Sequence, residues 1–470
     1  MRTLICALVA ALVLVVSACS TCPNPANPAC NSGVGGGGGT GAGSGGGGGL
    51  DVYDRYTLDT APSDRFYMAL VTSKTSNRVG VAYFTGMGEN PIIYLPGDDG
   101  GITTDGGTTP FYDVKYVEWE DGMVRAPQTV DSVQRMIGIA VDFHPTTGEP
   151  AVAYLGGGSD NVFFWFNSDA ELATRTGGTT WTNGIIGATN GNQTFCGDRV
   201  SDVDGPVVGL YPAIRYDSTG LLTWCYRDVH NGQFPQQDWA GSDLECIRGT
   251  PPAVAASREC TKAGGPMKDA PGGHNQMLMI NDVPYVFYDK VLGGADTSGQ
   301  DVNYVSRTGP GGTWTAPRQV LSVAGTQQGA SVAYDSEEGI GVAVVDVADN
   351  VLRYVRKSVA APNFDAADTV YGEGTGGWYP SLAMDPAFHE PAISFYVCSD
   401  RQFANVSQCK AELDEVRVAQ RNSVSNQWNI ETVDTSTVIT TKLGFLPNGR
   451  KVIAYRERGG PLKLAVRKVP

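Results

Sequence analysis

The sequence has few charged residues and few histidines, and its acidic residues outnumber its basic ones. Charged residues make up 18% of the 470, only four residues are histidine, and the formal net charge is −15. An acidic chain is a poor partner for nucleic acid or for anionic lipid headgroups. The region 50–470 also lacks HExxH, Walker A and GxSxG motifs. These absences exclude P-loop nucleotide binding, zincin chemistry and α/β-hydrolase chemistry.

Long apolar runs are also scarce, and the one that exists lies at the N-terminus. Arg2 precedes an apolar run over 4–16, and the small residues Ser17 and Ala18 lead to Cys19. The run is too short for a mature membrane span and has the form of a secretory signal. We therefore predict a signal peptide over 1–18. An ordinary signal peptide followed by a coincidental cysteine is the alternative.

The sequence 16–19 resembles the lipobox of bacterial lipoproteins, a resemblance confined to the first twenty residues. It implies that Cys19 becomes the first mature residue and carries the lipid, palmitate included. Ser20 in place of an aspartate implies sorting to the outer membrane of a Gram-negative bacterium. The Gly/Ser-rich segment up to Gly49 buries nothing, so 19–49 is predicted to be a lipidated cysteine with a disordered tether. The globular domain is expected over 50–470.

The ten cysteines leave eight after Cys6 in the signal and Cys19 at the lipid site. An exported chain meets an oxidising compartment, so an even number predicts disulfides. Proximity in the sequence suggests the pairs Cys22–Cys30, Cys246–Cys260 and Cys398–Cys409, with Cys196 left for Cys225. Metal binding is the weaker alternative. No cofactor is predicted except calcium in the acidic loops, where no glutamate closes a twelve-residue loop, so turn chemistry explains the aspartates better.

The heptad YPAIRYD at Tyr211 returns as YPSLAMD at Tyr379. Both belong to a hairpin template in which an apolar strand, an Asp/Asn/Gly turn and a second strand often ending in tyrosine follow one another. The template occurs seven times, at 66–83, 137–154, 211–226, 276–288, 330–346, 379–396 and 442–455. A third strand follows each hairpin, and a fourth, which often begins with tryptophan, follows in the copies before the last. Four antiparallel strands in every fifty to seventy residues predict an all-β fold, a β-propeller.

The two ends of the globular region indicate how this propeller closes. The last copy stops after its third strand, and the first copy is preceded by an unassigned strand-like stretch, 51–59. Pairing 51–59 with 462–468 would complete the last blade and remove two unpaired edges. Seven blades are therefore predicted, with six, eight or a stack of β-sandwiches as alternatives.

The Gly-Gly-Thr-Trp turns at Trp181 and Trp314 resemble degenerate Asp-box (BNR-like) repeats of sialidases. Gly178 and Gly311 match the repeat glycine, whereas Thr176 and Gly309 replace the aspartate. The Asp box is a structural turn, so the resemblance implies the propeller fold and not an activity. The three arginines, Tyr–Glu pair and acidic aspartate that sialidases use cannot be assigned on this sequence.

The template places the starts of first strands and the ends of second strands on one face, beside the channel. Long loops at 84–110, 228–242, 290–300 and 397–413 open on the same face, which makes it the expected recognition surface. The ligand-binding candidates there are Tyr211, Arg227, Asp228, His230, His274, Asp289, Lys290, Trp378, Tyr379 and Arg456. The candidates for catalysis are His230, His274, Arg227 and Tyr288. Because a strand-ending tyrosine recurs in six of seven hairpins, most of these tyrosines are expected to serve packing.

Two functions fit these residues. In the first, the chain is an outer-membrane-anchored binding or scaffold module for an extracellular glycan or protein, with aromatic rings and polar groups contacting the ligand. It would act as a monomer, touch the membrane only through its lipid and bind no nucleic acid. In the second, it is a glycan-active enzyme, a sialidase-like glycosidase or a polysaccharide lyase, in which a histidine acts as the base.

Overall fold

We describe the protein from a computed structural model, and the described residues all belong to one compact unit, Gly49–Pro470. The predicted signal peptide and tether lie outside the described residues. No helix within the described part of the chain is long and apolar enough to cross a membrane. The described ranges are 52–63, 65–86, 112–133, 136–157, 168–187, 208–228, 243–251, 258–260, 269–292, 300–323, 329–346, 349, 351–358, 360–372, 375–398 and 414–469.

The described residues form seven antiparallel sheets, each built mostly from strands that follow one another in the chain. The strand β1 (Tyr53–Ser63) comes first and is followed by blade 1, with β2 (Met68–Thr72), β3 (Arg78–Thr85), β4 (Tyr112–Glu120), β5 (Met123–Val124) and β6 (Gln128–Val133). Blade 2 contains β7 (Ile139–Phe143), β8 (Pro150–Gly157), β9 (Ser168–Arg175) and β10 (Trp181–Gly187). Blade 3 contains β11 (Val208–Tyr216), β12 (Leu222–Asp228), β13 (Asp243–Gly249) and β14 (Arg258–Cys260).

The remaining blades repeat this order. Blade 4 contains β15 (Asp269–Ile280), β16 (Val283–Leu292), β17 (Gln300–Ser306) and β18 (Arg318–Val323). Blade 5 contains β19 (Ser331–Asp335), β20 (Gly339–Asp346), β21 (Val351–Lys357) and β22 (Asp368–Tyr371). Blade 6 contains β23 (Thr375–Met384), β24 (Pro391–Cys398), β25 (Glu415–Arg421) and β26 (Trp428–Asp434). Blade 7 contains β27 (Val438–Phe445), β28 (Lys451–Glu457) and β29 (Gly460–Arg467).

The strand β1 closes the ring by pairing antiparallel with β29. Tyr53 lies opposite Arg467, and Asp59 lies opposite Leu462. The sheet order β1-β29-β28-β27 makes β1 the outermost strand of blade 7, as the sequence predicted. The protein is thus a seven-bladed all-β propeller, and this pairing covers the edge that β29 would otherwise expose.

The blades are held together by tyrosine–aspartate hydrogen bonds that recur between neighbours. In three blades, the tyrosine at the end of the second strand donates to an aspartate on the outermost strand of the preceding blade. These bonds are Tyr83 to Asp59 (2.6 Å), Tyr154 to Asp131 (2.7 Å) and Tyr455 to Asp434 (2.7 Å). All three tyrosines are at most 1% exposed. Burial and the neighbouring carboxylate raise the pKa of each hydroxyl well above its ordinary value. These tyrosines therefore serve blade packing, as the recurrence in the sequence indicated.

The innermost strands are linked by side chains that bond to the next blade's backbone. Seven residues occupy the same hairpin position in the first strands, and we call them the inner row: Ala69, Ala140, Ala213, Gln276, Ser331, Ser381 and Lys442. The hydroxyl oxygen of Ser331 accepts from the Leu382 N–H at 2.8 Å, and that of Ser381 accepts from the Leu443 N–H at 2.9 Å. Two serines of the inner row are thus occupied in building the channel wall.

The structure corrects the predicted disulfide pairing. Cys225 is bonded to Cys246, so neither the Cys246–Cys260 pair nor the Cys196–Cys225 pair is correct. The reason is register. Cys225 and Cys246 lie directly opposite each other on β12 and β13, whereas the backbone of Cys260 is in register with Glu245. Proximity in sequence therefore gave the wrong partner, and cross-strand geometry gives the right one. The pairs Cys22–Cys30 and Cys398–Cys409 rest on side chains outside the described residues.

The turns that resemble Asp boxes join third to fourth strands, where the resemblance expected them. In blade 2 the Thr176 N–H donates to the Thr180 oxygen at 3.1 Å, and β10 begins at Trp181. In blade 4 the Thr308 N–H donates to the Thr313 oxygen at 2.9 Å, next to Trp314. These turns shape the outer edge of the blade, away from the channel.

Candidate functional site

One face of the channel is bordered by the residues two positions before the inner row. We call this set the mouth ring: Tyr67, Gly138, Tyr211, His274, Gly329, Tyr379 and Thr440. The backbone of Tyr211, His274 and Tyr379 has positive φ (50°, 47° and 54°), a conformation that side chains other than glycine rarely adopt. Such a conformation costs about 1–3 kcal/mol and persists only where the surroundings impose it. The ring therefore presents large side chains at positions where the chain bends sharply.

The neighbouring blade holds two of these strained residues by their carbonyl groups. The Asn275 side-chain N–H donates to the Tyr211 oxygen at 2.9 Å, and the Thr441 hydroxyl donates to the Tyr379 oxygen at 2.8 Å. The same kind of hydrogen bond thus joins blade 4 to blade 3 and blade 7 to blade 6, so it is a repeated structural feature of the mouth ring. In Asn275, which is 3% exposed, the side-chain oxygen has no hydrogen-bond partner within the described structure.

The most polar part of the mouth ring is a histidine–aspartate pair in blade 4. His274 Nδ1 lies 3.0 Å from Asp289 Oδ2, and the two residues come from adjacent positions on the paired strands β15 and β16. Asp289 is 1% exposed, whereas the His274 side chain is 26% exposed. Burial raises the pKa of Asp289, and the hydrogen bond to His274 opposes that rise. With Asp289 ionised, Nδ1–H donates to it and Nε2 is left as a possible base.

The second carboxylate oxygen of Asp289 is also buried. Asp289 Oδ1 has no hydrogen-bond partner among the described residues. Leaving a buried acceptor unpaired costs about 1–3 kcal/mol. Such a cost at the edge of a channel is typical of a site that a ligand or an ordered water completes.

Aromatic rings extend from His274 across the mouth. The rings of His274 and Tyr211 are 4.6 Å apart between centroids, Tyr211 and Tyr67 are 6.5 Å apart, and Tyr67 and Phe66 are 4.2 Å apart. Tyr67 belongs to blade 1 and Tyr211 to blade 3, so the row passes over blade 2. Gly138 makes this possible, because a Cβ there would lie 2.7 Å from the Tyr211 Cα.

Charged and hydroxyl groups lie beside this aromatic row. Burial raises the pKa of Tyr67, and the hydrogen bond between the Tyr67 and Tyr211 hydroxyls raises it further. For Tyr211, burial raises the pKa, the Arg227 guanidinium and the hydrogen bond with Tyr67 oppose the rise, and the Asp289 carboxylate adds to it. Arg227 is 6% exposed, and burial lowers its pKa. The pKa of both hydroxyls is therefore raised, and at Tyr211 the Arg227 guanidinium opposes part of that rise.

The structure brings together four of the predicted site residues, namely Tyr211, Arg227, His274 and Asp289. Trp378 and Tyr379 lie on the far side of the mouth in blade 6, where Trp378 is 5% exposed in a hydrophobic cluster. Tyr288 is 2% exposed and packs in the cluster around the Cys225–Cys246 disulfide.

Arg456, also predicted to bind ligand, is 1% exposed. Its Nη1 donates to the Ala61 oxygen at 3.1 Å, and its guanidinium lies 5.0 Å from the Tyr83 ring centroid. These contacts attach the closing strand β1 to blades 7 and 1.

Some predicted residues fall where the structure gives no side-chain description. His230 lies outside the described residues, as do most of the long loops predicted to open on this face. Asp228 is the last residue of β12, and Lys290 lies within β16. The side chains of both lie outside the described part of the structure. The acidic loops considered for calcium are likewise mostly outside the described residues. Within the described part, no group of three or more His, Cys, Asp or Glu side chains could hold a metal ion.

Sequence reasoning missed Phe66, Tyr67 and Asn275. All three stand immediately before or at the start of first strands, the position where Tyr211 and Tyr379 were recognised. An alignment of all seven hairpins on the residue two places before the inner row would have found Tyr67, whereas Phe66 and Asn275 lie one residue to either side of that position. What it could not have shown is the contact of Tyr67 with Tyr211 across blade 2.

Comparison with known proteins finds similar solved structures but no matching family. No protein-family profile matches the chain, and no curated protein matches it significantly. Similar solved structures include the NanB sialidase from Streptococcus pneumoniae, with a TM-score of 0.44 and 11% identity over 87% of this chain and 69% of that one. Another is a Penicillium chrysogenum α-L-arabinanase complexed with arabinobiose, with a TM-score of 0.45 and 11% identity over 88% and 97%. A third, of unknown function from Dyadobacter fermentans, has a TM-score of 0.44 and 13% identity over 71% and 95%.

Proposed function

We propose that the protein is an exported, lipid-anchored propeller that binds a glycan at the mouth of its channel. The observation that carries the proposal is the continuous row Phe66–Tyr67–Tyr211–His274, bordered by the buried groups of Asp289 and Arg227. A sugar presents an apolar face and a rim of hydroxyls. Aromatic rings cover the first with little loss of entropy, and fixed polar groups bond to the second.

Phe66 is the end of the aromatic row that solvent can reach, and it is one of the few large apolar side chains that are exposed in the described structure. It is 46% exposed and contacts Tyr67 at a centroid distance of 4.2 Å. An exposed ring that continues a half-buried aromatic row extends the surface on which a second sugar unit could stack. An oligosaccharide with at least two units in the row is therefore the expected ligand.

A matched pair of phenylalanines tests the proposal. Phe388 is 69% exposed but lies in the β23–β24 turn, on the opposite face of the propeller. We expect the purified protein to bind members of an array of extracellular polysaccharides. Phe66→Ala should weaken that binding about tenfold, as expected for a loss of roughly 1.4 kcal/mol. Phe388→Ala should leave it unchanged. Equal effects of both variants, or no glycan bound at all, would contradict the proposal.

A second function, elimination at a uronic acid unit, is favoured by the number of carboxylates. Glycosidases need two carboxyl groups across the scissile bond. The described mouth ring and the strand ends beside it contain one such group that is free of a structural role, Asp289, and it is bonded to His274. Elimination needs only a base and an acid with a group that stabilises charge, and His274, Tyr211 and Arg227 provide these types.

The elimination step would proceed without water. His274 Nε2 would take the C5 proton, the electron pair would form a C4=C5 double bond, and the C4–O bond would break. The Tyr211 hydroxyl would return a proton to the leaving oxygen. His274→Ala distinguishes the two functions, because it should abolish formation of the unsaturated product in an enzyme and only reduce affinity in a binding protein. Ultraviolet absorbance of the new double bond after incubation with bound uronic-acid polysaccharides would measure this.

A further inference from the structure

The channel below the mouth ring contains a cavity lined by the first strands of all seven blades. It has a volume of about 120 Å³, enough for one small ligand or a few waters. Its polar lining comes from six side chains, Arg215, Asn275, Gln276, Ser331, Ser381 and Lys442, and its remaining lining is apolar. Two of these six are cationic, and none of the described residues that line the cavity is a carboxylate. This is the opposite of the overall composition, with 49 acidic and 34 basic residues.

Of the two cations in the cavity, Arg215 has a carboxylate nearby and Lys442 has none among the described residues. Arg215 donates to the Ile214 oxygen at 2.8 Å and interacts electrostatically with Asp142 on β7. Lys442 forms no ion pair or hydrogen bond within the described structure. The strands packed against β27 are β2, β23, β24, β25 and β28, and none of them contributes a charged residue to the lining of the cavity. Lys442 is thus a half-buried ammonium without a counter-charge, and burial lowers its pKa from 10.5 to about 8.

Of the other polar side chains in the cavity, some form hydrogen bonds with the protein and one does not. Ser331 and Ser381 bond to backbone N–H groups of the next blade. Asn275 uses its N–H for the Tyr211 oxygen. Gln276, in the inner row with Lys442, forms no hydrogen bond with any described residue, and its amide can donate. Donors without partners therefore converge on the cavity from β15 and β27.

We propose that this cavity binds a single small anion, a carboxylate or an oxyanion of phosphate size, between Lys442, Gln276 and Arg215. The anion would supply the missing counter-charge inside the channel, where partial exclusion of water strengthens the attraction. The site is distinct from the glycan site proposed at the mouth and does not depend on it.

Stability measurements with added anions test the site. The purified protein is held at constant ionic strength with potassium gluconate, the bulkiest of the anions used, and acetate, phosphate or chloride replaces part of it. We expect the thermal midpoint to rise along a saturable one-site curve with acetate or phosphate, and calorimetric titration to give one anion per chain. Comparison of the three anions distinguishes carboxylate, oxyanion and halide.

Variants identify Lys442 as the cation responsible. Lys442→Met should weaken anion binding at least tenfold, and Lys442→Arg should retain it. Lys468→Met, in which an exposed lysine is lost, is the control and should behave as the unchanged protein. Acetate binding should also weaken about 30-fold between pH 6.5 and 9.5, because an ammonium with a pKa of about 8 is mostly neutral at the higher value.

Several results would overturn the proposal. One is the absence of any anion-specific rise in the midpoint. Another is a rise that does not saturate, or one of equal size in Lys442→Met, which would indicate a general salt effect. Anion binding that is equally tight at pH 6.5 and 9.5 would also show that the Lys442 ammonium does not hold the anion. None of these results would affect the Phe66 test at the mouth.

Discussion

Replacing Lys442 by methionine is expected to stabilise the protein in buffer free of small anions. The side chain faces the channel cavity, and desolvation is the one cause of its lowered pKa. Methionine has a similar length and no charge to desolvate. At neutral pH the folded state must hold an ammonium that the unfolded chain would hold in water, so removal of the charge favours folding.

The magnitude follows from the pKa. A decrease from 10.5 to about 8 corresponds to about 3 kcal/mol of destabilisation at pH 7. Because Lys442 is only half-buried and the channel can admit water, about 1–3 kcal/mol is the expected range. The folded-state pKa is the lower one, so the full cost is present below about pH 8. It declines as the pH rises toward 10.5, where both states are neutral.

The measurement is urea unfolding of both proteins at several pH values from 7 to 10.5. Lys442→Met should be the more stable at pH 7, and the difference should shrink steadily above pH 8. Lys468→Met serves as the control, since the Lys468 side chain is 47% exposed and its Nζ lies 3.9 Å from Asp54. Its effect should stay within about 0.5 kcal/mol at every pH. A Lys442→Met protein that is less stable at pH 7, or a difference independent of pH, would refute the reasoning.

Three further predictions concern the scaffold and its attachment. Tyr455→Phe removes the 2.7 Å hydrogen bond to Asp434 and should lower the unfolding free energy by about 1–2 kcal/mol, whereas Tyr285→Phe, in a half-exposed ring, should lower it less. Peptide mapping without reduction should recover Cys225 joined to Cys246, and Cys225→Ser should cost about 3 kcal/mol in urea unfolding; a peptide joining Cys246 to Cys260 would contradict this. If Cys19 carries the lipid, labelling with radioactive palmitate should be lost in Cys19→Ser while the protein leaves the membrane fraction, and retained label would disprove that site.

The seven hairpins were readable from sequence because their signals are local. Alternating apolar residues, an Asp, Asn or Gly turn and a second strand ending in tyrosine lie within about eighteen residues of one another. Closure was also predictable, since the last repeat lacks a strand and 51–59 supplies one. The same locality misled the disulfide prediction. Cys260 is the nearer neighbour of Cys246 in sequence, but the β12–β13 register brings Cys225 opposite it.

The candidate site could be predicted only in part. Tyr211, His274, Arg227 and Asp289 were found because strand ends in a propeller meet at the channel mouth. Their mutual contacts depend on strained backbone at Tyr211 and His274 and on the absence of a side chain at Gly138, which no local pattern reports. Arg456 looked like its neighbours at the mouth, but its guanidinium turns to the closing strand.

By itself, then, the sequence determined the repeating hairpin, the number of blades, the strand that closes the ring and the face on which polar strand ends gather. Each of these follows from periodicity and turn chemistry over short stretches of chain. Only the tertiary structure decided which tyrosines bind aspartates of the preceding blade, which cysteines meet, and that Lys442 faces the channel with no counter-charge among the described residues. These features join residues from different blades, and the distance between blades is set by packing around the ring.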